Sequence, residues 1–174
     1  MMGIEHNPEC MVPVRNNKAG GPFIVLLSVT DTLITGVDMF LVSLTYTSEM
    51  TVNTDFVDIL EVSRVNNERD AITGVLLFCN NNVVQCLEGS REAVNKTYAR
   101  IARDKRHQNP LLVDYRIIST RLFSKWSMGY VPESSVTRPT LLKYSVAQNF
   151  EPRLLSGESC LSMLTELGQK VITV

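Results

Sequence analysis

Gln85 lies in the apolar run Val83-Val84-Gln85-Cys86-Leu87, which reads as a buried strand. Side chains alternate along a strand, so the Gln85 amide shares a face with Val83 and Leu87 and points where a core side chain normally goes. An amide buried without partners costs about 1–3 kcal/mol. It offers two donors and two acceptors on one rotor, so its partner is a protein group or a bound ligand. Tyr46, within Leu44-Thr45-Tyr46-Thr47-Ser48, supplies a phenol at the end of an earlier strand. Metal chemistry fits poorly. His6 and His107 are the only histidines, too few for a multi-histidine centre. Cys10, Cys79, Cys86 and Cys160 form no CxxC pair and read as small core residues in a reducing cytosol.

The elements that must hold these groups follow from pattern. Phe40 to Thr47 alternates as a strand. Asn53-Thr54-Asp55 is a capping signal, and Phe56, Ile59, Leu60 and Ser63 give a helix from about Thr54 to Asn66. Ile72 to Cys79 is a second strand, joined by the Asn80-Asn81-Asn82 turn to the Gln85 strand as a hairpin. After Gly89-Ser90, a second helix carries Val94, Thr97, Tyr98 and Ile101 on its apolar stripe. Pro110 forbids its continuation. Leu111 to Ser119 reads as a fourth strand and Lys125 to Val131 as a fifth, with Trp126 and Met128 on one face. Helical stretches over about Pro139–Gln148 and Glu158–Lys170 follow. The order predicts a ferredoxin-like βαββαββ α+β sandwich with two additional C-terminal helices. There the first and third strands are neighbours, and Tyr46 meets Gln85.

Composition bounds the function. Of 174 residues, 44% are hydrophobic and 20% charged, and the net charge is −1. These are the values of a globular domain with no basic field for nucleic acid or an anionic membrane. Phe23 to Leu44 is apolar, but Asp31 and Asp38 interrupt it, at a high cost in hydrocarbon. No secretory cleavage pattern is evident. The chain divides into an N-terminal extension (residues 1–38), a central domain (39–131) and a C-terminal helical extension (132–174).

The strings Ile72-Thr73-Gly74, Gln85-Cys86-Leu87-Glu88-Gly89 and Trp126-Ser127-Met128-Gly129 follow Tyr46 and Asn66-Asn67 in order. Over about Met39 to Tyr130 this set resembles the BLUF domain, a blue-light sensor that uses flavin. Leu141-Leu142-Lys143-Tyr144-Ser145 is similar to the tail of the short, stand-alone members.

The resemblance implies non-covalent FAD, with FMN as the alternative, held between the two helices of the domain. It makes Tyr46 the photochemical donor and places Gln85 between that phenol and the flavin. Asn67 and neighbouring Asn66 hold the pyrimidine side, Ile59 packs on the ring, and Arg100 and Asp104 contact it. Arg106 and His107 lie near the ribityl phosphate. Trp126 and Met128 form the switchable element beside Gln85. It implies a cytoplasmic photoreceptor rather than an enzyme, signalling by a light-induced change in protein contacts. The terminal helices and the apolar N-terminal segment give a homo-oligomer, with a separate signalling partner and neither nucleic acid nor membrane.

Two other functions compete: a cofactor-free ferredoxin-like interaction module, and a flavin redox enzyme, disfavoured by the lack of a GxGxxG nucleotide motif. Singly, the residues have plainer readings: Asn66-Asn67 as a helix cap, Trp126 and Met128 as packing, Arg106-His107 as solvated.

Overall fold

Two capped helices lie against one face of a five-stranded sheet. The computed structural model describes residues 40–51, 55–146 and 149–169. Strand β1 (Leu41–Met50) leads to helix α1 (Phe56–Arg69), then to the hairpin of β2 (Thr73–Cys79) and β3 (Asn82–Ser90). Helix α2 (Arg91–Arg103), β4 (His107–Ile118) and β5 (Gly129–Val131) complete the domain; α3 (Arg138–Tyr144) and α4 (Gly157–Gly168) follow. The Asp55 carboxylate accepts from the N–H groups of Val57 and Asp58 to start α1, and the Ser90 hydroxyl accepts from Ala93 N to start α2. Asn80 and Asn81 both have positive φ, 49° and 62°, which the tight β2–β3 turn requires and asparagine tolerates. The expected segment 1–38, and the expected helix residues Thr54, Gln148 and Lys170, lie outside the described residues.

The strand order is β4-β1-β3-β2-β5. The first four strands pair antiparallel, and β5 runs parallel to β2. This is the ferredoxin-like α+β arrangement with one added edge strand, and it makes β1 and β3 neighbours as expected. Alternation assigns the two faces. Val42, Leu44, Tyr46, Leu76, Val83 and Leu87 join Ile59, Leu60 and Val94 under α1 and α2. On the opposite face Val75, Leu77, Val84 and Cys86 pack with Leu141 of α3 and with Cys160, Leu161, Met163, Leu164 and Leu167 of α4. The terminal helices are therefore the lid of the second core. Leu161, Leu164 and Leu167 of α4 are buried in that core, while Leu142 is exposed. No helix among the described residues is long and apolar enough to cross a membrane.

Two boundaries differ from expectation. β4 begins at His107 and runs through Pro110 rather than starting after it. An edge strand tolerates this, because proline lacks only a donor that would face outward. β5 covers Gly129–Val131, so Trp126 and Met128 precede it and belong to the segment 119–128. The carbonyls of that segment are taken by other partners, described next.

Candidate functional site

The sheet register places Tyr46 directly opposite Gln85. Both are buried, at 0% and 3% exposure, and the Tyr46 hydroxyl donates to Gln85 Oε1. Burial pushes the Tyr46 pKa far above that of an ordinary phenol, with smaller contributions from Tyr98 and the Asp104 carboxylate. The phenol is thus held neutral, as a donor. That sets the amide: Oε1 faces Tyr46, and Nε2 lies 3.2 Å from Met128 Sδ. A thioether is a weak acceptor. Tyr98 of α2 packs its ring 5.3 Å from that of Tyr46.

Met128 is positioned through its backbone. Three consecutive carbonyls are held from α1 and β2: Gly74 N donates to Trp126 O at 3.1 Å, Asn67 Nδ2 to Ser127 O at 2.8 Å, and Arg64 Nε to Met128 O at 3.1 Å. Leu60, Arg64 and Asn67 recur at helical spacing, so one stripe of α1 both packs on the sheet and grips the loop. A Cβ on Gly74 would run into the Cys86 carbonyl oxygen. That glycine thus lets β2 lie close to β3 where Met128 arrives. Arg64 and Ser127 escaped the sequence reading. An arginine on the buried stripe of α1 was the available signal for the former; none existed for the latter, whose backbone acts.

The remaining expected residues fall in several places. Ile59 is buried in the same core. Asn67 is buried and Asn66 half-buried; the Asn66 carbonyl accepts from Asp70 N, so its backbone does act in the helix end. At the far end of α2, Asp104 pairs with Arg106 at 2.7 Å, and Arg106 reaches Asp58 of α1 at 3.2 Å. This pairing holds the Asp104 carboxyl below the usual carboxylate range and links the two helices. His107 Nδ1 lies 2.8 Å from Ser48 Oγ, its ring 6.3 Å from that of Tyr46. Burial pulls its pKa down. Arg100 is exposed and turns toward Thr97, at 3.4 Å, and Asp70, at 3.9 Å; it lies on the outer rim, apart from the Tyr46–Gln85 pair. Trp126 packs against the opposite core, so Met128 alone of the expected switch pair touches Gln85. Both residues precede β5, so strand alternation does not place their side chains on one face.

Chemically, the centre couples a neutral phenol to an amide whose N–H groups face no strong acceptor in the pairs above. Asn67 spends one N–H on Ser127, leaving its amide oxygen and second N–H. A flat heterocycle bearing both N–H and carbonyl edges would match this donor and acceptor set, and Ile59 is buried in the same core. No group of three or more potential metal ligands occurs among the described residues.

Comparison with known proteins finds one matching family and several similar structures. A model of the BLUF family, "Sensors of blue-light using FAD", matches residues 41–129. The dark-state structure of BlrB, a BLUF protein, is 36% identical, covers 75% of this chain and 97% of its own, and superposes with a TM-score of 0.61. The photo-activated state of BlsA is 30% identical over 74% of this chain and 94% of its own, with a TM-score of 0.66. Among curated relatives, the blue light- and temperature-regulated antirepressor BluF of Escherichia coli is 36% identical over 73 residues, covering 41% of this chain and 18% of that protein. The photoactivated adenylate cyclase subunit beta of Euglena gracilis is 36% identical over 100 residues, 55% of this chain and 12% of that protein. The chain thus spans less than a fifth of the length of these two curated relatives.

Proposed function

Because the chain belongs to the BLUF family of blue-light sensors that use FAD, we propose that it signals through rearrangement of the Tyr46–Gln85 hydrogen bond and a consequent change in protein contacts. The observation that carries this is the buried Tyr46–Gln85 bond, with Met128 on the other side of the amide. Bound flavin would supply the absorption of blue light and, once excited, a strong one-electron oxidant. Asn67 and Gln85 would hold it by hydrogen bonds, with Ile59 against its plane, and the Asp104–Arg106–Asp58 group and His107 at the α2 end of the site.

The chain's own part is a proton and a rotor. Tyr46 keeps its proton while reduced, because burial disfavours phenolate. Its Oε1 partner would take that proton as an electron leaves, with Nε2 releasing one of its own so that the amide stays neutral. Rotation of the Gln85 side chain would exchange Oε1 for Nε2, turning a donor toward Tyr46 and giving up only the weak Nε2–Sδ contact, since the Met128 thioether has no donor to offer Oε1. Neutral hydrogen bonds contribute about 0.5–1.5 kcal/mol each, so the two arrangements are close enough in energy for one to be exchanged for the other. Such an amide is a bistable element.

No substrate is consumed in this scheme, and the response leaves through contacts with a second copy or another protein. Cys79, Cys86 and Cys160 are buried free thiols, which supports a reducing, cytoplasmic setting. The test is absorption. Purified protein should be yellow, shift to longer wavelength under blue light and recover in the dark. A flavin-loaded protein whose spectrum ignores blue light would overturn the proposal.

A further inference from the structure

Glu88 takes no part in the chemistry above, yet it is fully buried, at 0% exposure. An ionised carboxylate tolerates such a place only when hydrogen-bonded. Its oxygens accept from Leu122 N at 3.0 Å and Phe123 N at 2.9 Å, and Thr73 Oγ1 donates to it at 3.5 Å. Arg121, one residue earlier, donates to Glu88 O at 2.9 Å, Thr73 Oγ1 at 3.0 Å and Ala71 O at 2.8 Å. Residues 121–123 are thereby tied to the ends of β2 and β3.

The topology gives this tie a purpose. β4 and β5 lie at opposite edges of the sheet, so residues 119–128 must cross the ends of β1, β3 and β2. Glu88 stands on β3, between Ser43 of β1 and Thr73 of β2, midway along that crossing. Past it the segment serves both cores. Phe123 and Trp126 pack on the α4 side, where a Cβ on Gly168 would lie 3.5 Å and 4.0 Å from their rings. Met128 enters the core under α1 and α2. Gln85 and Glu88, three residues apart on one strand and facing opposite ways, therefore hold the two ends of one segment.

We propose that Glu88 is a positioning residue for the light response. Its carboxylate fixes the Leu122–Phe123 end of the segment, so a rearrangement at Gln85 and Met128 is passed to Phe123, Trp126 and α4 instead of being absorbed by slack. This rests on the reading of Tyr46–Gln85 as the light-responsive pair. A carboxylate suits the task because it accepts two backbone N–H groups at once, in bonds stronger than neutral ones. Glutamine has a single acceptor oxygen and adds an N–H that would face another N–H.

Trp126 is the sole tryptophan, so 5-fluorotryptophan gives one 19F resonance that reports on the segment. In the flavin-loaded full chain, Glu88→Gln should shift and broaden that resonance in the dark. The blue-light absorption shift should keep its size, since Tyr46 and Gln85 are untouched. Return in the dark should slow by about tenfold, because the segment no longer favours one position. The light-induced change in the 19F signal should shrink. Glu88→Asp, charged but one methylene shorter, should fall between the two and serves if Glu88→Gln does not fold. A folded variant with the wild-type 19F spectrum in dark and light and recovery within about twofold of wild type would overturn the proposal. If wild type itself shows no absorption shift, the functional reading fails, while the dark 19F comparison still judges the hold of Glu88 on the segment.

Discussion

Tyr46 and Gln85 divide the work at the centre between a group that can lose a proton and one that can turn. Tyr46→Phe should keep flavin bound and abolish the reversible absorption shift, because the ring remains and the transferable proton is gone. A Phe variant with a normal shift would remove Tyr46 from the mechanism. Asn67→Ala should weaken flavin retention about ten- to a hundredfold, the loss of partners for a buried polar edge, read as absorbance left after dialysis. It should also loosen Met128, since Asn67 holds the Ser127 carbonyl. His107 adds a pH dependence. Burial holds its pKa below the ordinary 6.5, so the unfolded chain takes up a proton more readily than the folded one. The stability it contributes is full above 6.5 and is lost as pH falls through its folded value. The depressed Asp104 carboxyl acts elsewhere, below its ordinary 3.8. Thermal melts in the weakly acidic range should therefore show a fall in stability that His107→Asn removes; an identical fall in the variant would assign it to another group.

At the scale of elements, the close approach of β2, β3 and the Met128 segment depends on Gly74. Gly74→Ala should destabilise the fold by about 1–3 kcal/mol through overpacking, measured by urea unfolding, because the obstacle is the Cys86 backbone rather than a flexible side chain. Unchanged stability would mean that β2 can move away freely. The strands and helices that build this region were legible because burial imposes period two on β1 and β3 and period 3.6 on α1 and α2. The Tyr46–Gln85 contact was legible for the same reason, once topology made β1 and β3 neighbours. The segment 119–128 was not. Its course is set by Glu88 accepting from Leu122 and Phe123 and by side chains of α1 reaching its carbonyls, and backbone acceptors carry no sequence signature. Strand alternation would put Trp126 and Met128 on one face, whereas the backbone bend at Ser127 and Met128 sends one side chain to each core.

For the whole molecule, the two terminal helices are chiefly a structural layer, with Leu161, Leu164 and Leu167 turned inward. A light-dependent assembly must use what remains outside, such as Leu142 and Leu154, 56% and 72% exposed. We expect self-association that differs between dark and lit states, tested by light scattering at micromolar concentration; a monomer in both states would leave a separate protein as the partner. The coupling is limited to the difference in contacts between the two states. The most direct test of the account is light-minus-dark infrared spectroscopy of wild type and Gln85→Leu, each flavin-loaded, with and without isotope-labelled glutamine. Wild type should show a reversible downshift of a flavin carbonyl band together with glutamine-sensitive bands, and Gln85→Leu should show neither. The same downshift in Gln85→Leu, or no glutamine-sensitive band in wild type, would contradict the claim that the response runs through Gln85.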